Sequence, residues 1–110
     1  MNAISLSIAQ RLANAIDIIK LSGVEYLEFG LFGSVARGDY NGCSDMDIAI
    51  VTEHPMVSES FTNLRLELEN IGCDVANITE EHLNNPITAF HKNVNREYRR
   101  VCYDTTGIDK

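Results

Sequence analysis

Residues Phe32 to Val51 read FGSVARGDYNGCSDMDIAIV, and this stretch decides both the fold and the site. Its second half, extended to Thr52, sets Met46, Ile48 and Ile50 against Asp47, Ala49 and Val51, the two-residue period of a β-strand. Its first half, Gly33 to Ser44, is rich in turn formers: Gly33, Ser34, Gly38, Asn41, Gly42 and Ser44. Just upstream, Val24 to Phe32 is aromatic and branched and runs into a glycine, which predicts another strand. The unit is strand, loop, strand.

Outward from it the period changes. In Ala3 to Leu21 the residues Ile4, Ile8, Leu12, Ala15, Ile16 and Ile19 recur at three- and four-residue steps, predicting an amphipathic helix closed by Gly23. After Pro55, Val57, Phe61, Leu64, Leu68 and Ile71 make a second helical stripe, ended by Gly72. Cys73 to Ile78 predicts a third strand. Thr79-Glu80-Glu81 is a good helix start, with carboxylates near the positive end of the helix dipole. Pro86 breaks that piece, and Ile87, Phe90 and Val94 suggest one more helix turning into a strand around Arg99 to Tyr103. The order α-β-loop-β-α-β-α-β predicts a mixed α/β (α+β) layer, a small mixed sheet with helices on one face. Residues 1–110 are expected to form one domain, with 104–110 as a frayed tail.

Composition narrows the function classes. No apolar run approaches the length of a bilayer span, and Met1 to Gln10 lacks the form of a secretory signal, so a cytoplasmic location is expected. The net charge of −7 argues against stable nucleic-acid binding. Five basic residues (Lys92, Arg96, Arg99, Arg100 and Lys110) nonetheless cluster near the end, either as a solvated surface or as a grip for phosphate or a partner. Cys43, Cys73 and Cys102 show no CxxC spacing and stand apart from His54, His82 and His91, so reduced thiols are expected rather than a zinc site.

The chemistry gathers in the opening stretch. Asp45 and Asp47 lie two apart at the mouth of a strand, so their side chains leave the same face. Two carboxylates that close repel when both are ionised, and a divalent cation such as magnesium removes the conflict. Taken alone, the pair could equally be a turn cap and a solvent-facing aspartate. Upstream, Gly33 lets the backbone approach a phosphate, and Ser34 can add a hydroxyl donor; alternatively the dipeptide merely forms a turn. Arg37 could reach the same phosphates or lock the loop on Asp39 or Asp45, whereas Gly38 and Gly42 read as turn glycines. Asp74 interrupts the apolar run of Cys73, Val75 and Ala76. If its strand lies beside the second one, it joins the Asp45/Asp47 mouth as a metal ligand or general base; otherwise it is an exposed strand-start residue.

The composite pattern Gly33-Ser34-x-Ala36-Arg37-Gly38, then Ser44-Asp45-x-Asp47 before an apolar strand, resembles the signature of the DNA polymerase β-type nucleotidyltransferase superfamily. Within it the chain is most similar to the minimal nucleotidyltransferases of prokaryotes. The match is strong from Phe29 to Val51 and extends in outline over the whole chain. It implies that Gly33 and Ser34 hold the triphosphate of ATP, with Arg37 kept as a candidate beside them, and that Asp45, Asp47 and Asp74 bind magnesium, two ions in all, and carry catalysis. One departure is the run Val75-Ala76-Asn77-Ile78, where the family often places another acid.

The resemblance also implies a partner. Such small chains lack the added domain that holds an acceptor, so another chain or a second copy must supply it, in a homo- or hetero-oligomer. Proteins resembling this one act as antitoxins to helical HEPN-type toxins, adding AMP to a toxin tyrosine. A binding antitoxin with an inactive site, and a subunit of a small-molecule (antibiotic) nucleotidyltransferase, remain as alternatives.

Overall fold

The computed structural model describes residues 8–38 and 45–101. Expectations for Ile4, Asp39, Gly42, Cys43, Ser44, Cys102 and the tail lie outside the described residues. The elements in chain order are α1 (Ile8–Leu21), β1 (Glu28–Phe32), α2 (Gly33–Arg37), β2 (Met46–Thr52), α3 (Glu59–Glu69), β3 (Cys73–Thr79), α4 (Glu80–Asn84), α5 (Ala89–Glu97) and β4 (Arg99–Arg100). The mixed α/β architecture is the expected one.

The four strands form one sheet in the order β3-β2-β1-β4. β2 runs parallel to β3 and antiparallel to β1, while β4 pairs antiparallel with β1. The parallel pair needs a crossover, and α3 supplies it. β2 is the axis of the molecule, and every one of its residues is buried except Asp47, which is half-buried. Such a strand must be covered on both faces.

The two faces have different covers. Met46, Ile48 and Ile50 join Ala15 and Ile19 of α1 and Phe61, Leu64 and Leu68 of α3 in the larger core cluster. Ala49 and Val51 face the other way, against Ile78 and Val94, with Leu83, Phe32 and Tyr98 around them. The expectation of helices on one face thus describes the longer helices α1 and α3. The opposite face is also covered, by α4 and α5, whose stripes are too short to show a side in the sequence.

Local chemistry explains the boundaries. Ser58 caps α3 by accepting the Phe61 N–H at 3.2 Å, and Thr79 and Thr88 cap α4 and α5 in the same way. Val57 therefore lies before the helix, not on its stripe, and is 95% exposed, contrary to its expected place in the core. Ile87, ahead of the Thr88 cap, is 70% exposed for the same reason, while Val94 is buried as expected. The strand expected from Val24 begins only at Glu28. Gly33 to Arg37 forms one short helix inside the expected loop.

Candidate active site

The site lies where β1 ends and β2 and β3 begin. Asp47, the second residue of β2, is the Cα partner of Phe32 on one side and of Asp74 on the other. In a parallel ladder such partners present their side chains to the same face, so Asp74 joins Asp47, as the conditional reading of the third strand required. The Met46 N–H donates to the Gly72 carbonyl at 3.1 Å and fixes the two strand starts level with each other. Asp45, exposed, stands just before β2.

Electrostatics binds the three together. Burial pushes the Asp47 carboxyl above its ordinary range, and the charges of Asp74 and then Asp45 push it further. Arg37 opposes the rise, and Glu97 adds to it. This is the conflict that a divalent cation relieves. Hard oxygen donors suit magnesium in kind. Among the described residues no three His, Cys, Asp or Glu side chains are drawn into a closed metal cage. Magnesium is normally held by one or two carboxylates with substrate phosphates completing its shell, so an open group of carboxylates is a fitting donor set.

Gly33 follows β1 directly and has φ +75°, a conformation that other residues adopt only under strain. It is also crowded: a β-carbon here would fall on Oδ2 of Asp47. Glycine is thus required by the carboxylate beside it, whatever it also does for a phosphate. Gly33 and Ser34 open α2, and Arg37 closes it. Arg37 pairs with Glu97, its Nη1 donating to Oε2 at 2.8 Å, a partner not considered from sequence; Asp39 lies outside the described residues. The other oxygen of Glu97 accepts the Gly33 N–H at 3.1 Å. The hydrogen bond from Arg37, opposed by burial and helped by the bond from Gly33, holds the Glu97 carboxyl below its usual range.

Glu97 is hidden in the sequence because it sits among Arg96, Arg99 and Arg100, and the segment reads as basic. Only the return of α5 to the end of β1 reveals it. Two neighbouring contacts hold that return in place. The Tyr98 hydroxyl donates to Glu28 at 2.7 Å, and Gly30 leaves space for the Tyr98 ring and the Arg99 carbonyl, both of which a β-carbon would strike. Of the three arginines left open, Arg96 donates to Asn93 at 2.6 Å, while Arg99 and Arg100 are exposed on β4, with Arg100 3.9 Å from Glu28.

A second residue that the sequence does not single out is Arg11, which interrupts the α1 stripe yet is buried, beside the space over Gly72. Its charge acts on Cys73, but burial dominates there and pushes the thiol up to about 11. Cys73 is therefore an inert, protonated thiol at neutral pH, as expected of a reduced buried cysteine. Asn77, the polar residue in the run that departs from the family pattern, is a staple. It accepts the Met56 N–H at 2.8 Å and donates to the Ile50 carbonyl and to Thr52 Oγ1.

A glycine-serine turn between two strands thus lies against carboxylates grouped where those strands meet. The family model "Polymerase beta, Nucleotidyltransferase" matches residues 8–104, and the chain belongs to that family of nucleotidyltransferases. No curated protein matches it by sequence. Among solved structures, a protein described as a minimal nucleotidyltransferase is 23% identical, with a TM-score of 0.59, over 87% of this chain and 97% of that one. A chain of a toxin-antitoxin structure with AMP-PNP is 18% identical, with a TM-score of 0.59, over 90% of this chain and 77% of that one. A third match comes from a tri-AMPylated Shewanella oneidensis HEPN toxin in complex with its MNT antitoxin, 19% identical with a TM-score of 0.52, over 88% and 76% of the two chains. At these identities the likeness is one of fold. No helix among the described residues is long and apolar enough to cross a membrane.

Proposed function

We propose that the chain is an antitoxin that transfers AMP from ATP to a tyrosine hydroxyl of a helical HEPN-type toxin. The observation that carries the reading is the alignment of Asp47 with Asp74 across the β2–β3 ladder, with Asp47 itself set against Gly33. A fold maintained for packing alone has no reason to crowd like charges at that point.

In this reading the Gly33 N–H, the Ser34 hydroxyl and the Arg37 guanidinium hold the triphosphate. Asp45, Asp47 and Asp74 would hold magnesium, which neutralises phosphate charge and acidifies the acceptor hydroxyl. Asp74, exposed at the start of β3, would take the acceptor proton. The acceptor oxygen attacks the α-phosphorus, the bond to the bridging oxygen breaks, and pyrophosphate leaves. Positioning and charge stabilisation supply the catalysis, with no covalent enzyme intermediate. The AMP-PNP in one structural neighbour and the AMPylated toxin in another support the choice of donor and acceptor by analogy of fold.

The test is to incubate the chain with magnesium, labelled ATP and a HEPN-type partner. Label is expected on a partner tyrosine and is expected to vanish when Asp45 and Asp47 are both changed to Ala. A partner that is bound and silenced without label would overturn the reading in favour of an antitoxin acting by contact alone.

A further inference from the structure

Two of the donors assigned above to the triphosphate are already engaged by an anion. Both oxygens of the Glu97 carboxylate are committed, Oε1 to the Gly33 N–H at 3.1 Å and Oε2 to Arg37 Nη1 at 2.8 Å. The Glu97 side chain is only 13% exposed, whereas that of Arg37 is 46% exposed. The carboxylate is thus seated inward, with the guanidinium on its outer side. A planar carboxylate bridging a backbone N–H and a guanidinium uses the hydrogen bonds that phosphate oxygens use. An acid used purely as a strut would be poorly placed here, since Glu97 adds to the charges that already crowd Asp47.

We infer that Glu97 is an internal substitute for the substrate's phosphate, occupying the Gly33 and Arg37 donors until a triphosphate displaces it. The inference rests on the assignment of Gly33 and Arg37 to the triphosphate. Nucleotide affinity is then set by the exchange of one anion for another. The apparent dissociation constant equals the intrinsic one divided by the fraction of molecules in which Glu97 has let go. Glu97 also keeps the glycine turn and Arg37 in their binding arrangement while the site awaits substrate. It is a positioning residue that yields, rather than a catalytic one.

The test titrates the full chain with inorganic triphosphate and with ATP, each with magnesium, in the wild type, Glu97→Gln and Glu97→Ala. Removing the competing charge is expected to tighten binding about tenfold, the worth of one charge-assisted hydrogen bond. In the wild type, the Glu97 side-chain carboxyl resonance is expected to shift together with the Gly33 amide during the titration. This second measurement needs no variant to fold. Equal or weaker binding by both folded variants, or a Glu97 resonance unmoved at saturation, overturns the inference and leaves the nucleotide site standing. Failure of the wild type and both variants to bind triphosphate at all overturns the nucleotide assignment and this inference with it.

Discussion

Oδ2 of Asp47 occupies the space that a β-carbon at position 33 would fill. The glycine of the loop and the carboxylate of the strand are therefore one device, because neither can be placed without the other. Gly33→Ala meets two penalties, a left-handed backbone at φ +75° and the displacement of Asp47. It is expected to cost at least ~2 kcal/mol in urea denaturation. It should also lower nucleotidyl transfer by about a hundredfold through misplacement of the reacting groups. Wild-type turnover in the Gly33→Ala chain would refute this coupling.

Asp47→Asn should have opposite effects on activity and stability. Burial and the charges of Asp74 and Asp45 raise the Asp47 carboxyl, so the folded state binds its proton more tightly than the unfolded chain does. The associated stability is full below the ordinary value of 3.8 and is lost as pH rises through the folded value. At neutral pH and without metal, the ionised Asp47 is therefore a burden. The Asp47→Asn variant is expected to melt at a higher temperature than wild type in chelator at pH 7, with the gap narrowing toward pH 4. Its transfer activity should be lost. A lower melting temperature for this variant at pH 7 would contradict the like-charge account.

Asn77 should not accept an acid in its place. Its amide donates to the Ile50 carbonyl and to Thr52 Oγ1, and an aspartate there would set a charge against two acceptors. Asn77→Asp is expected to destabilise by ~1–3 kcal/mol in denaturant titration, without any gain in magnesium affinity. Tighter magnesium binding would show that position 77 reaches the site after all.

The correction to the α3 stripe can be tested by a pair of substitutions. Leu68 is fully buried in the larger core cluster, so Leu68→Ala is expected to cost about 2–5 kcal/mol. Val57→Ala, at a position 95% exposed, should change stability by no more than ~0.5 kcal/mol. Comparable losses at both positions would restore Val57 to the core.

What the sequence makes legible is what local period and local chemistry determine. The alternation in Met46 to Thr52 gives β2 and the placement of Asp47, and Thr79-Glu80-Glu81 gives the start of α4. Asp74 is legible only conditionally, because its role depends on which strand lies beside β2, a question of pairing and not of period. Val57 and Ile87 depart from their expected places because the capping residues that follow them, Ser58 and Thr88, set the helix starts more firmly than the apolar count does. Glu97 is invisible because its partners at Gly33 and Arg37 are distant in sequence and its own neighbours are cationic. Long-range pairing leaves no trace in any local window.

That distance also orders the way the enzyme comes into being. The bond from Gly33 to Glu97 spans 64 positions and the one from Tyr98 to Glu28 spans 70, whereas β2, α3 and β3 are consecutive. The Asp47–Asp74 alignment needs only these consecutive elements and can thus form before α5 docks on the end of β1. Contacts of such separation close late, since the entropy of the intervening loop must be spent before they give any return. A folding chain whose α5 has not yet docked would carry its acidic pair with no carboxylate on the glycine turn. Glu97 is thus the last part of the site to arrive, and it covers donors that the earlier elements have already set out.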